Sequence, residues 1–280
     1  MEKELEKLIH EALKEDGYEK DLTSNSIIDF KKEAFGNFIV RTSGIISGTE
    51  IIKEVYRQIN PRVNVKILKE DGEYVNKGDV VASISGKMID ILRGERVSLN
   101  FLQIMSGIAT LTDKYSQELK GTECLIVDSA KTIPLLKKFE NQAVYHGNGI
   151  NYFQNLNNQI IIKDYHILIA GSISDAVEKV RIKNGYDMLV DVEISTEEEF
   201  FEAVNTDCDI ITLCNMSDDL IEKICSLDRN NKKIKILGNI PIGKIRTFAL
   251  MGIDYISVDC LSHASKALDI TFKFLKKTFK

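Results

Sequence analysis

A chain of 280 residues, 44% hydrophobic and 28% charged, is long enough to bury a large core and has the balance of an ordinary soluble globular protein. Its formal net charge of −5, with lysines and arginines spread along the chain, excludes the basic stripe of a nucleic-acid-binding surface but leaves room for a local phosphate site, which needs only a few cations and backbone amides. Five cysteines without C-x-x-C spacing exclude a disulfide framework or structural zinc and favour a reducing compartment.

The first 16 residues predict an amphipathic helix with Leu5, Leu8, Ile9 and Leu13 on one face. It is too charged for a signal peptide or a membrane span, so a cytoplasmic protein without a membrane partner is expected. Between about 34 and 92 the pattern becomes short alternating strands, beginning at Gly36, Gly44, Val63 and Asp79. The segment 70–86 looks like a lipoyl-type barrel hairpin but lacks the lysine tip of a carrier domain, so its expected role is structural. A long helix is predicted over 94–119, carrying Leu99, Leu102, Ile104, Ile108 and Leu111.

Beyond it, six apolar runs begin at Cys124, Gln159, Asp187, Asp209, Lys233 and Asp254, with helical patterns over 172–184, 196–204, 217–225 and 241–251. The link 130–158 is longer and less regular. Near-continuous apolar strands joined by helical crossovers predict a parallel sheet covered by helices. Cys124, Cys208 and Cys225 fall in apolar surroundings as small core residues. In such folds ligands bind at the carboxyl ends of the strands. The polar residues there are Asp128, Lys131, Lys163, Asp164, Glu193, Cys214, Asn215, Gly238, Asn239 and Asp259. Two lysines and a glutamate converging on one mouth suit a small anionic ligand.

Three further stretches carry a resemblance. E-D-G-Y-E-K-D-L-T-S starts at Glu15, G-E-R-V-S-L-N-F-L-Q-I-M-S-G-I-A-T at Gly94, and G-I-D-Y-I-S-V at Gly252, followed by L-S-H-A-S-K-A-L-D-I from Leu261. In that order they resemble the quinolinate phosphoribosyltransferase family, the carboxylating nicotinate-nucleotide pyrophosphorylases. The resemblance implies an α/β fold: an incomplete six-stranded α/β barrel over 109–265, and an N-terminal α/β sandwich over 1–108 completed by 266–280. It implies a homodimer, or a higher oligomer, in which each sandwich caps the partner's barrel. It further implies transfer of phosphoribosyl from phosphoribosyl pyrophosphate (PRPP) to quinolinate with Mg²⁺, giving nicotinate mononucleotide, pyrophosphate and CO₂. By matching position, Lys131 and Glu193 would be catalytic, with Glu193 also beside the metal. Arg96 would bind quinolinate across the dimer, and Lys163, His166 and Gly238 would contact substrate.

The same motifs depart from the family at named positions. Ala130 replaces an arginine beside Lys131, Tyr152 and Phe153 replace a histidine and an arginine, and Cys214 replaces an acid. Asn239 and Asp259 replace glycines near the phosphate. Each lost arginine–carboxylate hydrogen bond is worth about 1.5–3 kcal/mol. A bare Asp259 beside a phosphate would cost about 4 kcal/mol at close approach. The expected pocket is therefore less cationic and more apolar than the family's. Three readings stay open: a divergent phosphoribosyltransferase, a paralogue using the same mouth for another small molecule, and a non-catalytic dimeric binding protein. The second includes Lys131 or Lys163 as a Schiff-base nucleophile. Cys214 reads either as a plain replacement or as a reactive thiol, Gly147-Asn148-Gly149 as a turn, and His263 as a packing or capping residue.

Overall fold

The structure is a computed structural model and describes residues 2–128, 130–152 and 155–275. Ser129, Phe153 and the His263 side chain lie outside that set. In chain order the first elements are α1 (Glu2–Glu15), α2 (Leu22–Ile27), β1 (Glu33–Val40), β2 (Gly44–Ile45), α3 (Thr49–Ile59), β3 (Asn64–Ile67), β4 (Tyr74–Val75), β5 (Val80–Lys87) and α4 (Met88–Glu118). Next come β6 (Leu125–Val127), α5 (Lys137–His146), β7 (Ile160–Ile162), α6 (Asp164–Ala170), α7 (Ile173–Asn184), β8 (Val190–Ile194) and α8 (Glu197–Ala203). The last are β9 (Ile210–Cys214), α9 (Asp218–Cys225), β10 (Lys233–Gly238), α10 (Ile242–Leu250), β11 (Tyr255–Val258), α11 (Cys260–His263) and β12 (Ile270–Phe274). Among the described residues no helix is long and apolar enough to cross a membrane.

Two compact units emerge: Met1–Leu111 with Leu136–Gly147 and Ser265–Lys280, and Thr112–Leu135 with Asn148–Ala264. In the first, an antiparallel sheet runs β12-β1-β5-β3, and β2 pairs with β4. The segment 70–86 is thus shared between two sheets. Alternation along β1 buries Ala34, Phe38 and Val40, as a half-covered strand requires. Helix α1 sinks Ile9 and Leu13 among Ile51, Val55, Phe139 and Ala143 of α3 and α5, each such side chain contributing about 1.5–3 kcal/mol. Helix α4 begins at Met88, six residues before the predicted start at 94. Met88, Ile89 and Ile91 are buried on it. Asp90 in its first turn favours a helix N-terminus and accepts from Asn60 Nδ2 at 2.7 Å.

The second unit holds all six expected runs as parallel strands in the order β6-β11-β10-β9-β8-β7. Chain succession passes around this sheet as in an α/β barrel, with the ring left open between the first strand, β6, and the second, β7. The two faces differ chemically. Val190, Val192, Ile194, Ile211, Leu213, Ile234, Ile236, Ile256 and Val258 are all buried on one. Asp191, Glu193, Thr212, Cys214, Lys235 and Ser257 alternate with them on the other. Side-chain period two and parallel register therefore line up a polar interior.

The irregular link after β6 has local structure that the pattern did not reveal. Helix α5 belongs with the first unit. Gly147 caps its end and Asn148 takes φ +64°, so Gly147-Asn148-Gly149 does turn the chain. Ile150 then runs parallel to Val127. It donates to the Ile126 carbonyl and accepts from the Asp128 N–H, both at 2.9 Å. One residue of the link thereby acts as a minimal extra strand on the free edge of β6.

Candidate active site

The strand ends of the second unit gather the polar residues the sequence pointed to. Glu193 stands on the inner face of β8, and Lys163 Nζ lies 3.8 Å from its carboxylate. Burial pushes the Glu193 carboxyl above the ordinary range, Lys163 pulls it back, and Asp191 pushes it up again. Lys163 caps α6. Its backbone N–H donates to His166 Nδ1 at 3.0 Å, so a neutral His166 carries its proton on Nε2. The Tyr165 ring packs 4.4 Å from the imidazole.

Cys214 ends β9 on the same face. Burial, with the charge of Glu193 adding, pushes its thiol up to about 12. Both causes favour the neutral thiol over the more nucleophilic thiolate.

Across the mouth, Asp259 follows β11 and Lys131 follows β6, and these two strands are hydrogen-bonded neighbours. Lys131 Nζ donates to Asp259 Oδ2 at 2.6 Å, and the Asp259 N–H donates to the Gly238 carbonyl at 3.1 Å. Gly238 has φ +153° with open space where a Cβ would project, a conformation that side chains disfavour. Asn239 follows it, exposed. The sequence reading treated Asp259 as a bare charge opposing phosphate; the structure corrects this, because a lysine compensates it. Lys131 in turn is engaged by a carboxylate, whereas the Schiff-base reading needs a desolvated lysine among cations.

Tyr152 also departs from expectation. It is not an open aromatic wall. Its N–H donates to Asp128 Oδ1 at 2.7 Å and its hydroxyl to Asp191 Oδ2 at 3.0 Å. Its ring lies 5.6 Å from that of Tyr255 and 4.3 Å beneath Lys235 Nζ. Burial and the Asp191 charge raise the phenol well above its usual range. The short Ile150 pairing delivers Tyr152 into the seam between β6 and β7, where its polar tip finds a buried carboxylate.

That carboxylate belongs to a group the sequence reading missed. Asp191 is fully buried and its partner Lys235 has a side chain only 6% exposed. Lys235 Nζ donates to Asp191 Oδ2, and Thr212 Oγ1 donates to Oδ1 at 2.5 Å. A buried pair of this kind needs several donors to offset desolvation. The available signal was alternation: Lys235 lies on the strand face opposite the aliphatic Ile234 and Ile236, in register with Thr212 of β9.

Arg96 belongs to the first unit, where its guanidinium is largely exposed and pairs with Asp16 at 2.8 Å. Among the described residues no group of three or more His, Cys, Asp or Glu is arranged to hold a metal ion.

Comparison with known proteins gives a consistent answer over the whole chain. The family "quinolinate phosphoribosyl transferase, N-terminal domain" matches residues 21–106, and its C-terminal counterpart matches residues 108–273. A probable nicotinate-nucleotide pyrophosphorylase [carboxylating] of Bacillus subtilis is 36% identical over 268 residues, covering 96% of this chain and 92% of its own. The chloroplastic enzyme of that name from Arabidopsis thaliana is 32% identical, covering 96% and 82%. The crystal structure of NadC from Streptococcus pyogenes superposes with a TM-score of 0.92 at 32% identity over 99% of both chains. The nicotinate-nucleotide pyrophosphorylase of Francisella tularensis superposes with a TM-score of 0.93 at 29% identity, covering 98% and 97%.

Proposed function

We propose that this chain, which belongs to the quinolinate phosphoribosyltransferase family, transfers the phosphoribosyl group of PRPP to quinolinate, releasing pyrophosphate and CO₂ and forming nicotinate mononucleotide. The observation that carries this reading is the convergence of Lys131, Lys163 and Glu193 on the carboxyl ends of parallel strands, in a chain similar to such enzymes over its full length.

In this reading the quinolinate nitrogen attacks C1′ as the bond to pyrophosphate breaks, and positive charge develops on the ribose. Glu193, held at 3.8 Å from Lys163, stabilises that charge from the inner face. Lys131 and Lys163 receive anionic groups, His166 offers an Nε2 donor, and the Gly238-Asn239 turn approaches the 5′-phosphate. Magnesium, when bound, would neutralise charge on the departing pyrophosphate. Glu193, on the inner face of β8, is the carboxylate that would lie beside the ion. The chain forms a homodimer in which Arg96 reaches a quinolinate carboxylate of the partner's barrel.

The ring of replacements tempers the substrate fit without changing the reaction class. Ala130 removes one cation, while Asp259 is matched by Lys131 and adds no net charge with it. Phosphorus NMR with PRPP and Mg²⁺ tests the reading. Pyrophosphate release is expected only when quinolinate is added, and the absence of both release and PRPP binding would overturn it.

A further inference from the structure

Asp259 replaces a glycine of the family pattern, and it engages a lysine that the proposed function assigns to the phosphates. Its N–H is tied to the Gly238 carbonyl, and its carboxylate takes a hydrogen bond from Lys131 at 2.6 Å. The two ends of the pair differ. The Asp259 side chain is 17% exposed and the Lys131 side chain 65%, so the carboxylate lies deeper than the ammonium and a ligand arriving from solvent meets the lysine first. Both leave adjacent strands, β6 and β11, at the same end. The contact joins the residue that directly follows β11 to one four positions beyond the end of β6.

We propose that Asp259 is a built-in competitor for the anionic substrate: it holds Lys131 in the position a phosphate oxygen takes on binding, and so sets the threshold of negative charge that an entering ligand must exceed. The inference rests on the phosphoribosyltransferase reading, which assigns Lys131 to the phosphates. An anion must displace the carboxylate from the lysine and then lie beside it. A polyphosphate gains enough other contacts to offset this, whereas a single small anion has few. The unliganded mouth is kept electrically balanced, and stray anions are held off.

The test is calorimetry with pyrophosphate and with inorganic phosphate, both free of Mg²⁺, on the full-length protein. Asp259→Asn is expected to bind pyrophosphate about tenfold more tightly than the parent chain, and to bring inorganic phosphate into the measurable range. Asp259→Glu should stay within about threefold of the parent. Adding Lys131→Met should abolish the gain, so that the double variant binds no better than Lys131→Met alone. Unchanged or weaker pyrophosphate binding by Asp259→Asn would overturn the proposal and make the carboxylate a support for Lys131. Asp259→Gly, the family's own residue, repeats the comparison if the asparagine variant folds poorly. Failure of the parent chain to bind PRPP with Mg²⁺ is a separate result, and it would remove the functional reading together with this inference.

Discussion

The interior charges of the second unit are few and each has a defined partner. Lys235 and Asp191 are the most deeply placed, and their stability contribution is asymmetric. Removing the cation leaves Asp191 buried beside two hydroxyl donors, Thr212 and Tyr152, without its counter-ion. Lys235→Met should therefore destabilise the protein by about 3–5 kcal/mol in denaturant melts, although methionine fills a similar volume. Glu193 behaves oppositely. Its carboxyl is raised by burial, so the folded state holds its proton to higher pH than the unfolded chain does. The stability it contributes is present at low pH and lost as pH rises through the raised value. Glu193→Gln should remove that decline, melting higher than the parent near neutrality, and should lower kcat by about two to three orders of magnitude. Higher neutral stability with lost turnover is the signature of a strained functional group. Strand-end reasoning named Lys131, Lys163, Glu193 and Asp259, which the structure joins in two ion pairs at or just past the ends of parallel strands. It missed Lys235 and misjudged Tyr152, since which face of a strand turns inward, and where a loop residue's tip lands, are settled by partners far away in sequence.

At the level of elements, uninterrupted aliphatic runs made the six parallel strands legible, and helical periodicity identified most of the crossovers. Helix α4 was cut short at its start because M-I-D-I-L-R, just after Gly86, is a short apolar run whose periodicity suits a strand or a helix equally. Helix α5 escaped notice inside the link because its apolar residues Phe139, Ala143 and Val144 serve the first unit's core, not the sheet around it. The Ile150 pairing was illegible for a simpler reason: one bridging residue has no periodicity. It can be tested directly. Ile150→Pro removes the N–H that donates to Ile126 and should cost about 1–3 kcal/mol. Hydrogen exchange should rise at 126–128 and 148–152, and Tyr152 should lose its hold on Asp191. Unaltered exchange there would mean the pairing contributes nothing to closing the seam.

The whole chain is not divided as the sequence is ordered. The first unit draws on three separated segments, including the last described strand, β12. Phe272 of β12 covers Gly36 so closely that an added Cβ would lie 2.1 Å from its ring. Gly36→Ala should accordingly cost about 1–3 kcal/mol through overpacking, read as a lowered melting midpoint. The pairing of Val40 with Ile270 also orders events in time. As the chain leaves the ribosome, β1 emerges early with one edge unpaired, and its partner arrives only after about 230 further residues have been made. All six strands of the second unit are synthesised within that interval. The unit that starts first is thus completed after the other, and a product truncated before Ile270 would carry β1 with that edge unpaired.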